Sequence, residues 1–144
     1  MKLIKTEIVI EASVEQVWAV LMDFSAYPEW NPFIRKLEGN AVLGKRLIVN
    51  IQPPQQKVMK FRPTVITMKP HEEFAWKGIL LIPGIFDGTH RFILEKLSNN
   101  YTKFTQTEVF AGLLKAPLFS FIGKSTEQGF KLMNEALKER SQHL

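Results

Sequence analysis

Residues 23–34 read DFSAYPEWNPFI, with Phe24, Tyr27, Trp30 and Phe33 as four rings and Pro28 and Pro32 as two prolines in twelve residues. The prolines break any long helix here, and the rings are too many for a solvated connection. Asn31, lying before Pro32, is pushed out of the helical region. Just upstream, Ser13-Val14-Glu15-Gln16 has the spacing of a capping box, and Val14, Val17, Trp18 and Leu21 fall on one helical face. A first helix is therefore expected from Ser13 to about Asp23, then a short turn or second helix before Pro28. Phe24, Tyr27 and Trp30 would seat these helices against a sheet and a longer helix. Pro28 and Pro32 would fix the turn that launches the next strand.

On either side the pattern changes period. Residues 3–11 alternate loosely and are rich in Ile and Val, which predicts a strand. From about 33 to 110 the pattern is β. Leu47, Val49 and Ile51 alternate in one strand, Val65 and Thr67 alternate with Ile66 and Met68 in another, and Phe74, Trp76 and Gly78 share a face in the next. Pro53-Pro54, Pro70, Gly84–Gly88 and Ser98-Asn99-Asn100 supply turns. From Leu118 onward a helical stripe of Leu118, Phe121, Ile122, Ser125, Gly129, Leu132, Met133, Ala136 and Leu137 follows, with Pro117 suited to a first turn. At 1.5 Å per residue, 24 residues span about 36 Å, enough to cross a whole sheet.

Composition narrows the function classes. The chain has 144 residues, 45% of them hydrophobic, which fits one domain, residues 1–144, with a single core. It has no cysteine, so disulfides, thiolate metal sites and Cys nucleophiles are excluded. Lys5, Glu7 and Glu11 interrupt the N-terminal stretch and argue against a signal peptide. The longest apolar run, Gly78 to Phe86, is far short of the roughly 20 residues that span a bilayer. A cytoplasmic protein is expected, and the Asn100-Tyr101-Thr102 sequon is then accidental. The net charge is +5, but the basic residues are scattered and no aromatic–basic platform accompanies them. No nucleic-acid partner is expected, while transient contact with an anionic membrane surface stays open. Three dispersed histidines without HxH or HExxH spacing argue against a metal site. There is no Gly-rich phosphate loop and no GxSxG elbow, and no cofactor is expected.

The order is strand, helix, short helix, many strands, long helix. This is an α+β arrangement in which helices cover one face of a curved antiparallel sheet. The order, together with ASVEQVWAVLMDFSAYPEWNPF (12–33), GTHRFILE (88–95), TEVFAGLL (107–114) and MNEALKER (133–140), resembles the START/Bet v 1-like (SRPBCC) superfamily, and more narrowly its polyketide cyclase/dehydrase-like members. The resemblance covers nearly the whole chain. It implies a helix-grip fold: a curved antiparallel sheet of about six to seven strands around a long C-terminal helix, two short helices after the first strand, and an internal cavity. Members bind lipids, sterols, polyketides or hormones, and only some catalyse. Fold alone does not decide between these.

The sharpest polar signal lies in two neighbouring strands. In GTHRFILEKL (88–97), His90, Phe92 and Leu94 share the more apolar face. In YTKFTQTEVF (101–110), Phe104 and Phe110 bracket Gln106 and Glu108 on one face. A three-residue loop, Ser98-Asn99-Asn100, pairs Leu97 with Tyr101, and then sets Leu94 opposite Phe104, Phe92 opposite Gln106 and His90 opposite Glu108. Opposed Cβ atoms are about 5 Å apart, and a one-residue slip would spoil every match. A buried carboxylate needs a partner. His90 and Glu108 therefore either satisfy each other in the core, grip a ligand's carbonyl or hydroxyl on a cavity wall, or form an acid–base pair.

The leading expectation is a domain that binds a small hydrophobic molecule (lipid, polyketide-like or aromatic) between sheet and C-terminal helix. His90, Glu108 and Gln106 would orient its polar group. Phe92, Phe110 and Trp76 would add apolar wall, although Trp76 is first a packing residue, as is Trp30. Ser125 and Gly129 lie one turn apart on the long helix and serve either close packing or ligand room. Phe86, in ILLIPGIFDG (79–88), could form a cavity lip. Arg62 faces either way, and His71 sits in a turn. Two alternatives stand beside this reading. One is a cyclase, dehydratase or hydrolase using His90 as acid or base with Glu108 tuning it. The other is a module that engages quinone, lipid or protein through the apolar loop.

Overall fold

The computed structural model describes residues 2–79, 87–112 and 115–143, with the backbone alone for Lys2 and residues 115–122. Strand β1 (Lys2–Ile10) leads into α1 (Val14–Met22), a turn of 3-10 helix (Phe24–Ala26) and the four-residue α2 (Tyr27–Trp30). The capping box forms as expected: Ser13 Oγ accepts from Gln16 N at 3.1 Å, and Gln16 Oε1 accepts from Ser13 N at 3.4 Å. Val14, Val17, Trp18 and Leu21 are all buried. Asn31, ahead of Pro32, ends α2 in an extended conformation. Its side-chain oxygen accepts from Phe33 N and Ile34 N at 3.0 and 2.8 Å, which starts the next strand.

Seven strands follow: β2 (Ile34–Glu38), β3 (Ile48–Ile51), β4 (Met59–Phe61), β5 (Thr64–Lys69), β6 (Glu73–Ile79), β7 (Asp87–Ser98) and β8 (Tyr101–Ala111). With β1 they make eight among the described residues, against about six to seven expected. The surplus lies in short strands that alternation alone separates poorly, the three-residue β4 above all. One sheet has the order β1-β8-β7-β6-β5 and the other β2-β3-β4. Main-chain bonds from Leu47 N to Pro63 O (2.8 Å) and from Val65 N to Lys45 O (2.9 Å) join their edges into one wrapped surface.

Helix α3 (Lys115–Gln142) lies against β1, β8 and α1, and Pro117 falls in its first turn. Sheet, helix and short helices together make the expected α+β helix-grip architecture. The buried face of α3 keeps Gly129, Met133 and Leu137 of the expected stripe but departs from it at Leu132. Leu132 is exposed, whereas Phe130, Met133, Asn134, Leu137 and Ser141 are buried. The polar Asn134 and Ser141 hid that face from a hydrophobicity pattern. Leu118, Phe121 and Ile122 of the stripe lie outside the described side chains.

The β7–β8 register places His90 opposite Glu108, Phe92 opposite Gln106 and Leu94 opposite Phe104, as expected, but by a different route. The turn is two residues long, with Ser98 paired to Tyr101, and an irregularity between Lys96 and Ser98 takes up the extra residue. A β-bulge thus restores the register that a two-residue loop would have shifted. Gly88, expected in a turn, belongs to β7.

Rings carry the core from sheet to helix. Phe74 stacks on Phe92 (5.8 Å between centroids), His90 on Phe92 (4.2 Å), Phe130 lies against His90 (4.7 Å) and Phe33 against Phe130 (5.5 Å).

Candidate functional site

Between the two sheets and α3 lies a cavity of about 70 Å³, counting the space open to the centre of a water molecule. One water needs roughly 10–15 Å³ on that measure, so several waters or one small ring system can enter. The small sheet supplies Val49, Ile51, Met59 and Phe61, with Pro53 and Pro63 beside them, and Phe33 and Thr126 close the helix side. The large sheet contributes Trp76 and Gly78 from β6, Gly88 and His90 from β7, and Glu108 and Phe110 from β8. The wall is almost wholly apolar, and His90 with Glu108 makes its polar corner.

His90 is held from two sides. Its Nε2 meets Gln106 Oε1 at 2.9 Å, and its Nδ1 faces Glu108 Oε1 at 3.6 Å. The Gln106 amide nitrogen donates to Asn134 Oδ1 (2.8 Å) and to the main-chain oxygen of Phe130 (3.3 Å). Asn134 Nδ2 in turn donates to Thr6 Oγ1 at 2.9 Å. A chain of side chains thus runs from β1 through α3 and β8 to β7, and every link is buried.

Its direction is fixed. The Phe130 carbonyl can only accept, so the NH2 of Gln106 must point to it and Oε1 must point to His90. His90 Nε2 then carries the hydrogen, and Nδ1 presents its lone pair to Glu108. Burial pushes the His90 imidazole down to about 4, although the bond to Gln106 works the other way. Burial also pushes the Glu108 carboxyl up to about 8. Among the described residues neither His90 Nδ1 nor Glu108 Oε2 has a hydrogen-bond partner. Gly88 lies beside that oxygen: a Cβ built on it would stand 3.2 Å from Glu108 Oε2.

Of the sequence-derived candidates, Trp76, His90, Glu108 and Phe110 meet on the cavity wall. Trp76 also packs, lying 5.2 Å from Phe92 and 5.3 Å from His90 between centroids. Phe92 and Gln106 stand behind the wall, one in the ring stack and the other in the polar chain. Gly129 is a packing position: a Cβ there would fall 2.5 Å from Phe33 Cε1. Ser125 Oγ lies 3.4 Å from Pro54 O. Trp30 packs edge-on to Tyr27 (5.2 Å) and borders a separate hollow with Ala19, Asp23 and Arg140. That hollow measures about 170 Å³, more than the first, but exposed Ala19 and Asp23 place it on the outer surface. Phe86 lies outside the described residues, Arg62 is exposed, and His71 is exposed with its ring edge-on to Trp18.

Sequence reasoning missed Thr6, Asn134, Gly88 and the wall from the small sheet. Thr6 follows Ile4 on the inward side of β1, and Asn134 adjoins Met133. In each case a polar residue at an apolar position was the available signal.

No curated protein matches the sequence. Among solved structures, the ZhuI aromatase/cyclase from Streptomyces sp. R1128 superposes with a TM-score of 0.78 at 13% identity, covering 98% of this chain and 93% of that one. A START superfamily protein from Mycobacterium smegmatis gives 0.74 at 18% identity, covering 97% of each chain. Norcoclaurine synthase from Thalictrum flavum gives 0.73 at 15% identity, covering 98% and 94%. These likenesses carry the helix-grip fold of the START/Bet v 1-like superfamily. The sequence profile described as polyketide cyclase/dehydrase and lipid transport matches residues 1–142, and it is to this family that the chain belongs.

Proposed function

We propose that the protein binds a small hydrophobic molecule in the cavity between its two sheets and α3. The observation that carries this is an apolar wall with a single polar corner, where Glu108 Oε2 has no hydrogen-bond partner among the described residues. Apolar area supplies affinity and the corner orients one polar group, the usual division in such sites. Titration with small bicyclic aromatics, followed by methyl NMR, tests it. Shifts are expected at Val49, Ile51 and Met59, and Val49→Phe, which fills the cavity, should abolish them. Binding that shifts none of these methyls, or no binding at all, overturns the reading.

An enzymatic reading has one favouring observation. Glu108, pushed up to about 8, is poised to exchange a proton near neutral pH. In that case Glu108 would be the acid or base, because both His90 nitrogens are turned to Gln106 and Glu108. Loss of turnover in Glu108→Gln with retained binding would support it. Full turnover in that variant would remove it.

A further inference from the structure

We infer that Gly78 and Gly88 set the ligand specificity of the cavity: together they form a bare backbone floor that takes the flat face of a ring and disfavours a puckered ring of the same size. This rests on the cavity reading above and adds a shape to it. The two glycines are cross-strand partners on β6 and β7, and both line the cavity. The neighbouring inward row is Trp76, His90 and Glu108, and Gly88 has Phe110 as its partner on β8. Those four residues put side chains on the cavity wall, whereas 78 and 88 leave backbone there.

A glycine inside a strand weakens it, and it usually marks a bulge, a tight bend, a close approach of another backbone, or the approach of a ligand. β6 and β7 stay in register from Glu73 opposite Ile93 to Ile79 opposite Asp87 without a shift, so there is no bulge. Neither glycine is among the positive-φ residues. A Cβ at 78 would meet only the Pro63 side chain, at 3.8 Å, and the nearest atoms to one at 88 are in the side chains of Glu108 and Phe110. No other backbone presses on either position, and what remains is a ligand. Adjacent strands lie about 4.8 Å apart and the next inward residue about 7 Å along a strand, so two missing side chains open a patch of backbone that one six-membered ring can cover. A flat ring sets all its atoms on that floor, and a chair-shaped ring about half of its carbons. With about 70 Å³ between the floor and Val49, Ile51 and Phe61, a thicker ring has little room to rise.

Benzyl alcohol and cyclohexylmethanol share their heavy-atom skeleton and their hydroxyl, and differ in a flat against a chair-shaped ring. Burial of apolar area alone favours the saturated ring, which has the larger surface, so the floor predicts the opposite order. Methyl NMR titration of the full chain, read at Val49, Ile51 and Met59, should show benzyl alcohol binding at least about threefold tighter. Gly78→Ala should lower benzyl alcohol affinity about tenfold and erase the preference, because the methyl lifts either ring off the backbone. Its urea midpoint should be unchanged or higher. Equal affinities in the wild-type protein, or cyclohexylmethanol as the tighter ligand, overturn the floor. So does a preference that survives in Gly78→Ala, or a lower urea midpoint, which would make the glycine a bend that the fold requires. If neither alcohol binds while bicyclic aromatics still shift these methyls, the floor falls and the cavity reading stands. If the bicyclics fail as well, both fall.

Discussion

His90 Nδ1 and Glu108 Oε1 face each other at 3.6 Å in the wall of the cavity, one imidazole nitrogen and one carboxyl oxygen. They are the only titratable groups among the described residues lining it. Around His90 stand Phe92, Phe130 and Trp76, which offer no charge. Desolvation therefore acts on both partners in the same sense and favours the neutral form of each.

The pair gives stability a defined pH profile. His90, lowered from 6.5 to about 4, destabilises the fold as pH drops below 6.5, because the unfolded chain takes up the proton first. Glu108, raised from 4.5 to about 8, holds its proton longer in the folded chain, so stability is lost as pH rises from 4.5 through 8. Between 4.5 and 6.5 the two slopes cancel. Above 6.5 only the Glu108 effect remains, with a slope of at most about 1.4 kcal/mol per pH unit. The slope is smaller to the extent that water in the cavity reaches the carboxyl, whose side chain is 14% exposed. Urea unfolding at pH 5.5, 6.5 and 8 should show this fall in the wild-type protein, and Glu108→Gln should flatten it.

Gln106 is the joint of the buried chain. Gln106→Leu keeps the volume but leaves His90 Nε2–H and the Asn134 side chain without the partners they have at 2.9 and 2.8 Å. Each stranded buried group costs about 1–3 kcal/mol, so for the two groups a loss of about 2–6 kcal/mol is expected in denaturant titrations. A change within 0.5 kcal/mol would mean that the chain adds nothing to stability.

Gly129 and Phe33 form a steric pair. The ring occupies the place of a side chain at 129, and Phe130 holds it from another side at 5.5 Å. Gly129→Ala should therefore destabilise by about 1–3 kcal/mol through overpacking, despite a helix-propensity gain of up to about 1 kcal/mol. Phe33→Leu should reverse the sign of the Gly129→Ala effect. A double-mutant cycle showing simple additivity would deny the contact.

The same two residues show what the sequence made legible. The capping box and the alternation of β7 and β8 are local patterns, and each stands where it is expected, while the turn expected before Pro28 is the 3-10 turn Phe24–Ala26 and the short helix α2 takes that proline into its own first turn. The ring-rich stretch does what was expected of it, with Phe24 5.8 Å from Phe74 and Tyr27 Oη donating to Leu21 O at 2.6 Å. The site was legible only where one strand pair built it, as for His90 and Glu108. Its other wall comes from β3 and β4, and its polar chain ends at Thr6, 128 positions before Asn134. No periodicity connects residues so distant. Gly129 could be read as room or as packing, and only the position of Phe33 decides.

Gly88 offers the sharpest separation of fold from binding. It has an ordinary strand backbone, is absent from the positive-φ residues, and a Cβ there meets only the Glu108 carboxyl within 3.5 Å. Gly88→Ala should therefore leave stability unchanged or raise it by about 0.4–1 kcal/mol, because the unfolded chain loses freedom. The added methyl takes up cavity space beside the Glu108 carboxyl, which Gly88 lines together with it, and one such group in a pocket commonly costs about tenfold or more in affinity. Indole titration and urea unfolding of this variant should thus move in opposite directions, binding down and stability level or up. Retained indole affinity would show that the ligand does not use that space, and lost stability would show that the corner has no spare space.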